Sequence, residues 1–456
     1  MEMILDKGAS RLIKSFWGGV FILTVIGALL SSCSREEGKP RVLILGEDFS
    51  NTSALEHFRE ADESALNFQL EFVKNTFDVF NQKANQDLAN GTGLYDVILH
   101  YSSVLSSYAK NRWVLTLAEQ KALYPSADYS FEKDIFPEVW KDSSFYPMTN
   151  GGQPEALGYP FAANTMVLVY NRQMFDGADR KIAYRNKYGE ELVPPTSWPQ
   201  FRRIAEFFTA SDRSTYGIVL QGASGSPLYW EWCNFAFGMG GGVMKKHYGW
   251  EGASDTPLIL DSKETVAATE FYVSLKPFNA GDFFSTGQAE QQELMRTKRI
   301  AMAIMWSDSL FALVNGPQGQ QFGFAPIPGG KSMIGGGTFY VNRHSKHAKE
   351  SVRYITSVMQ KDAQVKLMTQ GLTSGLRSAY DAPEVKKLPY ADAVRRSLDR
   401  GVYMLESGPD AGLISNVIER TVQRIWKGES SAEMELKAAT KEVGDQRNML
   451  FTAQKK

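Results

Sequence analysis

Arg41-Val42-Leu43-Ile44-Leu45 is a compact apolar strand, Gly46-Glu47-Asp48 a polar turn after it, and the pattern they open decides the fold class. A helix is predicted to begin near Asn51. Asn67–Val73 then alternates, with Phe68, Leu70 and Phe72 on one face, as a half-buried strand does. Asp78–Leu88 has helical spacing through Val79, Phe80, Ala84 and Leu88, and Asn90-Gly91 is a stop signal for it. Tyr95–Leu99 is another short buried strand. Strands alternating with helices at this spacing predict an α/β fold built on a parallel sheet of βαβ units.

A parallel sheet places its ligand-facing loops beyond the carboxyl ends of its strands. Here those loops hold Glu47 and Asp48, then Asn75 and Thr76, then Tyr101, Ser102 and Ser103. All are neutral or acidic. Glu47, Asp48, Asn75 and Tyr101 are therefore the first candidate ligand-binding residues.

Upstream of the first strand stand Lys7, Arg11 and Lys14, an uncharged apolar run from Phe16 to Leu30, and then Leu30-Ser31-Ser32-Cys33. A basic segment, a short apolar segment and small residues at a cleavage point make an export signal. The run, of roughly 15 residues, falls short of the ~20 that span a bilayer. Its end resembles a bacterial lipobox, which implies that 1–32 is a signal peptide, that Cys33 is lipidated, and that 33–40 is a polar tether. The chain is then expected to work in the cell envelope, outside the cytoplasm and tethered to a membrane.

Residues 33–456 are too many for one compact core and suit two lobes. A formal net charge of −1 gives no electrostatic case for nucleic acid. With Cys33 lipidated, Cys233 has no disulfide partner and reads as a small buried hydrophobe. The 9 Trp, 19 Tyr and 27 Phe supply a core and leave rings for a pocket that takes flat, partly apolar ligands. Further strands are predicted at Thr165–Tyr170, Tyr216–Leu220, Ile300–Met305, Phe322–Ala325 and Thr338–Val341. Helices are predicted from the Pro194–Trp198 segment onward, over Leu228–Phe237, and at about 431–450.

Segments spread along the chain are similar to the extracellular solute-binding proteins of ABC importers, in the carbohydrate-type, maltose-binding-like group (family 1). They are Gly91-Thr92-Gly93-Leu94-Tyr95-Asp96-Val97 and Gly158-Tyr159-Pro160 running to Tyr170-Asn171-Arg172. Pro195-Thr196-Ser197-Trp198, Arg299-Ile300-Ala301-Met302, and Phe322-Gly323 leading to Pro326-Ile327-Pro328-Gly329-Gly330 continue the series. Gly335-Gly336-Gly337 and Gly371 with Arg377 complete it. Ser374-Gly375 replaces a usual proline, and Ala303–Asp308 lacks the glycine-containing turn of maltose binders. The sugar is thus left open.

The resemblance implies a two-lobed periplasmic-binding-protein-like fold with discontinuous lobes, 41–165 with 304–360 and 166–303 with 361–456, joined by a hinge. It also implies a monomer that captures a carbohydrate and delivers it to a transmembrane permease, with no cofactor, no metal and no catalysis. A sugar offers apolar faces and a rim of hydroxyls, which call for aromatic planes beside carboxylates and amides. Trp230, Trp232, Tyr229 and Trp306 are candidate platforms. Trp230 and Trp232, two apart on a helix, face different directions, so at most one meets the cleft. Asp308 accompanies Trp306, where the chain is expected to cross back between lobes. Arg377 matches a family arginine near the cleft.

Two other readings stay open. One is a receptor on the same fold for a polyol, glycerol phosphodiester or other small polar solute. The other is an exported glycoside hydrolase using two carboxylates, although no nucleophile motif or metal cluster is visible. Pro328-Gly329-Gly330-Lys331-Ser332 lacks the first P-loop glycine, and the glycines at 238–242 miss the dinucleotide pattern. His344 and His347 read as a solvated helix start.

Overall fold

The computed structural model describes residues 38–149, 152–245, 256–400 and 408–453; the predicted signal peptide and Cys33 lie outside the described residues. Among the described residues twelve strands follow in chain order. They are β1 (Arg41–Glu47), β2 (Gln69–Asn75), β3 (Val97–His100), β4 (Phe145–Pro147), β5 (Pro154–Ala156) and β6 (Tyr159–Pro160). Then come β7 (Asn164–Asn171), β8 (Tyr216–Val219), β9 (Ile300–Trp306), β10 (Phe322–Ala325), β11 (Ile334–Gly335) and β12 (Thr338–Val341).

The first sheet has the order β2-β1-β3-β12-β6, with β1 parallel to both β2 and β3. That is the predicted βαβ arrangement, and Val42, Ile44 and Leu45 are buried because helices cover both faces. The helix Phe77–Asn90 turns Phe80, Ala84 and Leu88 inward and stops where Gly91 takes a left-handed φ of 61°. Val79, which the spacing places on the inward face, is 41% exposed. Asp87, buried on the same helix, accepts the N–H groups of Leu94 (2.9 Å) and Tyr95 (3.1 Å) and the Asn342 amide (2.9 Å). The Gly91–Val97 segment is thus a structural latch.

The second sheet has the order β10-β7-β9-β8, with β11 paired to β7. The helices Trp198–Phe208, Pro227–Gly238 and Ala411–Lys427 bring Phe201, Trp232 and Ile418 into its core. Ser197 caps the first of these by accepting from Gln200 N–H (3.4 Å). No helix of the described residues is long and apolar enough to cross a membrane.

The chain passes from the first sheet to the second between β6 and β7 and returns between β11 and β12. The resemblance implies a return near 304, but β10 pairs with β7 from Phe322↔Asn171 to Ala325↔Leu168, so the chain stays with the second sheet for longer. The change of side falls at Gly336 and Gly337. A Cβ on Gly336 would strike the Ala162 carbonyl oxygen, and one on Gly337 the Phe161 ring, so only glycine lets the two crossings touch. Thr373 joins them: its carbonyl accepts Ala163 N–H (2.7 Å), and its hydroxyl donates to Asn164 Oδ1 (2.6 Å). The limit implied at 361 also differs. Lys361–Met368 packs on Ser50–His57 and Ala348–Val358, on the first sheet's side, whereas Ala391–Leu398 packs on β7 and β10.

Candidate functional site

A cavity of about 420 Å³ lies between the two sheets. From the first sheet come Glu47, the last residue of β1; Phe49 just after it; Phe77 at a helix start; and Tyr101 and Ser103 beyond β3. Parallel pairing brings the ends of β1 and β3 side by side, and the Tyr101 hydroxyl donates to Glu47 Oε2. Tyr101 is held in turn by His100, whose Nδ1 accepts the Tyr101 backbone N–H (2.8 Å).

From the second sheet come Asn164, Trp306 and Asp308, with Trp230 one turn into the helix Pro227–Gly238. Trp230 and Trp306 meet edge to face, with centroids 5.6 Å apart at 89°. The Trp306 Nε1–H is buried without a partner. Asp308 Oδ2 accepts the Asn164 amide (2.6 Å), and its backbone carbonyl accepts the Ser50 hydroxyl (3.1 Å), so this residue touches both sides. Gln288, the Gly225-Ser226 turn and residues 411–415 close the remaining wall.

Burial raises the Glu47 pKa, partly offset by the Tyr101 hydrogen bond. Asp308 is pushed up to about 7, first by burial and then by the charge of Glu47. Burial and the Glu47 charge likewise push Tyr101 up, which leaves its hydroxyl protonated as a donor. The cavity therefore offers aromatic faces, acceptors that can take hydroxyl donors, and amides that can give or take.

Of the sequence candidates, Glu47, Tyr101, Trp230, Trp306 and Asp308 line this cavity. Four others do not. Asp48 is exposed and pairs with Lys74 (3.4 Å), because the chain turns outward after β1. Asn75 accepts from Lys83 (2.9 Å) on the neighbouring helix. Trp232 is fully buried and donates to Thr269 (2.9 Å), as its offset of two from Trp230 requires; Tyr229 is buried with it. Arg377 pairs with Asp399 (3.0 Å) and lies over the Phe136 ring (5.3 Å). Sequence reading missed Phe49 and Phe77, each within two residues of a predicted loop position. It also missed Asn164, Gln288 and the 411–415 wall, which only the folded topology brings near.

The fold is similar to solved solute-binding proteins of ABC transporters. One, from Agrobacterium radiobacter in complex with ribitol, is 18% identical with a TM-score of 0.71, covering 90% of this chain and 99% of that one. Another, from Thermotoga lettingae bound to α-D-tagatose, is also 18% identical, with a TM-score of 0.71 and coverage of 90% and 100%. The sugar-binding protein MalE from Xanthomonas citri is 16% identical, with a TM-score of 0.70 and coverage of 91% and 99%. No curated protein matches the chain by sequence. The family model described as bacterial extracellular solute-binding protein matches residues 56–393, and the chain belongs to that family.

Proposed function

We propose that this chain is the substrate-binding component of an ABC importer, capturing a carbohydrate or polyol between its lobes and passing it to a transmembrane permease. The observation that carries this reading is the cavity between the sheets, where rings and acceptors from both sides surround one volume of about 420 Å³. That lies within the roughly 300–1,000 Å³ typical of small-molecule sites. Similar folds solved with ribitol and with tagatose support a polyhydroxylated solute of small size.

In this reading the first lobe follows the first sheet and the second lobe the second, with the hinge at 161–163, 336–337 and Thr373. A ligand held from both sides gains contacts only on closure, and that difference drives the equilibrium. Moving a mostly open population to mostly closed takes about 5.5 kcal/mol. The protein acts as a monomer without cofactor or metal, anchored through lipidated Cys33 in the cell envelope. Loss of fatty-acid labelling in Cys33→Ser tests the anchor; label retained there places the anchor elsewhere.

Calorimetric titration against a panel of sugars and polyols tests the function. One site per chain, with the solute recovered intact, is the expected result. Glu47 and Asp308 share the cavity as a hydrolase's carboxylates would, so product in the same sample would replace the receptor reading with a glycosidase.

A further inference from the structure

We infer that the cargo carries a protonated amine, and that the cavity selects an amino sugar or aminopolyol over its neutral counterpart. This rests on the receptor reading and narrows its ligand class. Among the described residues lining the cavity, Glu47 and Asp308 are the only charged ones. Lys74, beside the end of β1, is committed to Glu56 (2.8 Å) and Asp48 (3.4 Å). The two carboxylates come from opposite sides of the cleft, and the charge of Glu47 adds to the cost of ionising Asp308. Burial raises the Asp308 pKa first, and the charge of Glu47 raises it further.

Closure around a neutral solute would force the pair either to take up protons or to keep charge out of water without a counter-charge, and buried charge is costly unless paired. A protonated amine between them removes the cost. It donates up to three hydrogen bonds to acceptors that can only accept when ionised. Around the pair stand Phe49, Phe77, Tyr101, Trp230 and Trp306, whose ring faces attract a cation and whose breadth covers the apolar face of a sugar. Trp306, 7% exposed, stands at the same wall with its indole N–H buried and unpartnered.

The test is calorimetry at neutral pH with aminohexoses and their disaccharide, each beside the N-acetyl form and the parent neutral sugar. An amine-bearing member binding at least tenfold tighter than both neutral counterparts supports the inference. Equal or tighter binding of a neutral counterpart overturns it and leaves the receptor reading standing. Silence from every amine-bearing member in folded protein overturns it too; silence from neutral sugars and polyols as well sinks both readings. Glu47→Gln and Asp308→Asn should each bring the amine-to-neutral ratio toward one, with folding checked by melting. An undiminished ratio in both variants, melting as the parent does, overturns the assignment of the amine to this pair.

Discussion

Trp306 ends a fully buried strand and spends its ring on Trp230 and the cavity wall. Its two neighbours on that wall differ in how sequence reveals them: Asp308 sits two residues on and was visible, while Asn164 was not. Trp306→Phe keeps a ring in the core but removes the indole N–H and part of the plane. Ligand affinity is expected to fall about tenfold, the worth of roughly 1.4 kcal/mol, with a small change in the ligand-free melting temperature. Calorimetry beside a melting curve checks both, and a large stability loss with affinity intact would make Trp306 a packing residue. His100 works at one remove. Buried, it accepts from Tyr101 N–H through Nδ1 and meets Asn81 Oδ1 at 2.6 Å through Nε2, so its neutral form is built in. Burial drives its pKa down to about 3, against 6.5 in an unfolded chain. Below pH 6.5 the unfolded chain takes up a proton that the folded chain refuses, so this group's contribution to stability is lost as pH falls from about 6.5 toward 3. In His100→Gln, urea denaturation should show a shallower fall in stability between pH 6 and 4; an unchanged slope would clear His100 of the effect.

Elements were legible where the pattern had length. Phe322–Ala325 and Thr338–Val341 form at the predicted residues, and the strand that opens the chain extends only from Leu45 to Glu47 beyond expectation. β4, β5, β6 and β11 span two or three residues each, too few for any periodicity, and exist because the fold presses them against longer partners. The turn before the helix Pro227–Gly238 was equally silent. Glu419, buried on Ala411–Lys427, accepts the backbone N–H groups of Gly225 (3.1 Å) and Ser226 (2.5 Å), the latter held at a left-handed φ of 94°. That carboxylate fixes the start of the helix bearing Trp230. Glu419→Ala leaves two backbone donors without an acceptor and is expected to cost about 1–3 kcal/mol. Affinity should fall several-fold through displacement of Trp230, measured beside stability by titration and denaturant melts. Full affinity in the folded variant would show that the turn holds itself.

The division into two sheets was predictable from chain length and strand order, but the crossings were not, because pairing of β10 with β7 is a contact between segments some 150 residues apart in sequence. The segments that resembled a family were right about the fold, while the change of sheet falls after β10 and β11 and not near 304. At the crossing, Gly336→Ala would push the backbone away from Ala162. The expected outcome is a lower melting temperature and a smaller ligand-induced contraction in small-angle scattering. Unaltered contraction would show that the crossing does not bear on closure.

The thiol of Cys233, fully buried beside Trp232, lends the molecule a chemical clock. Under the proposed acylation of Cys33 it is the one sulfhydryl a reagent would find, and only after the second lobe's interior has opened to admit it. The rate at which a thiol reagent in excess reacts therefore counts openings of that interior, and cargo that holds the lobes together should slow the count in proportion to its occupancy.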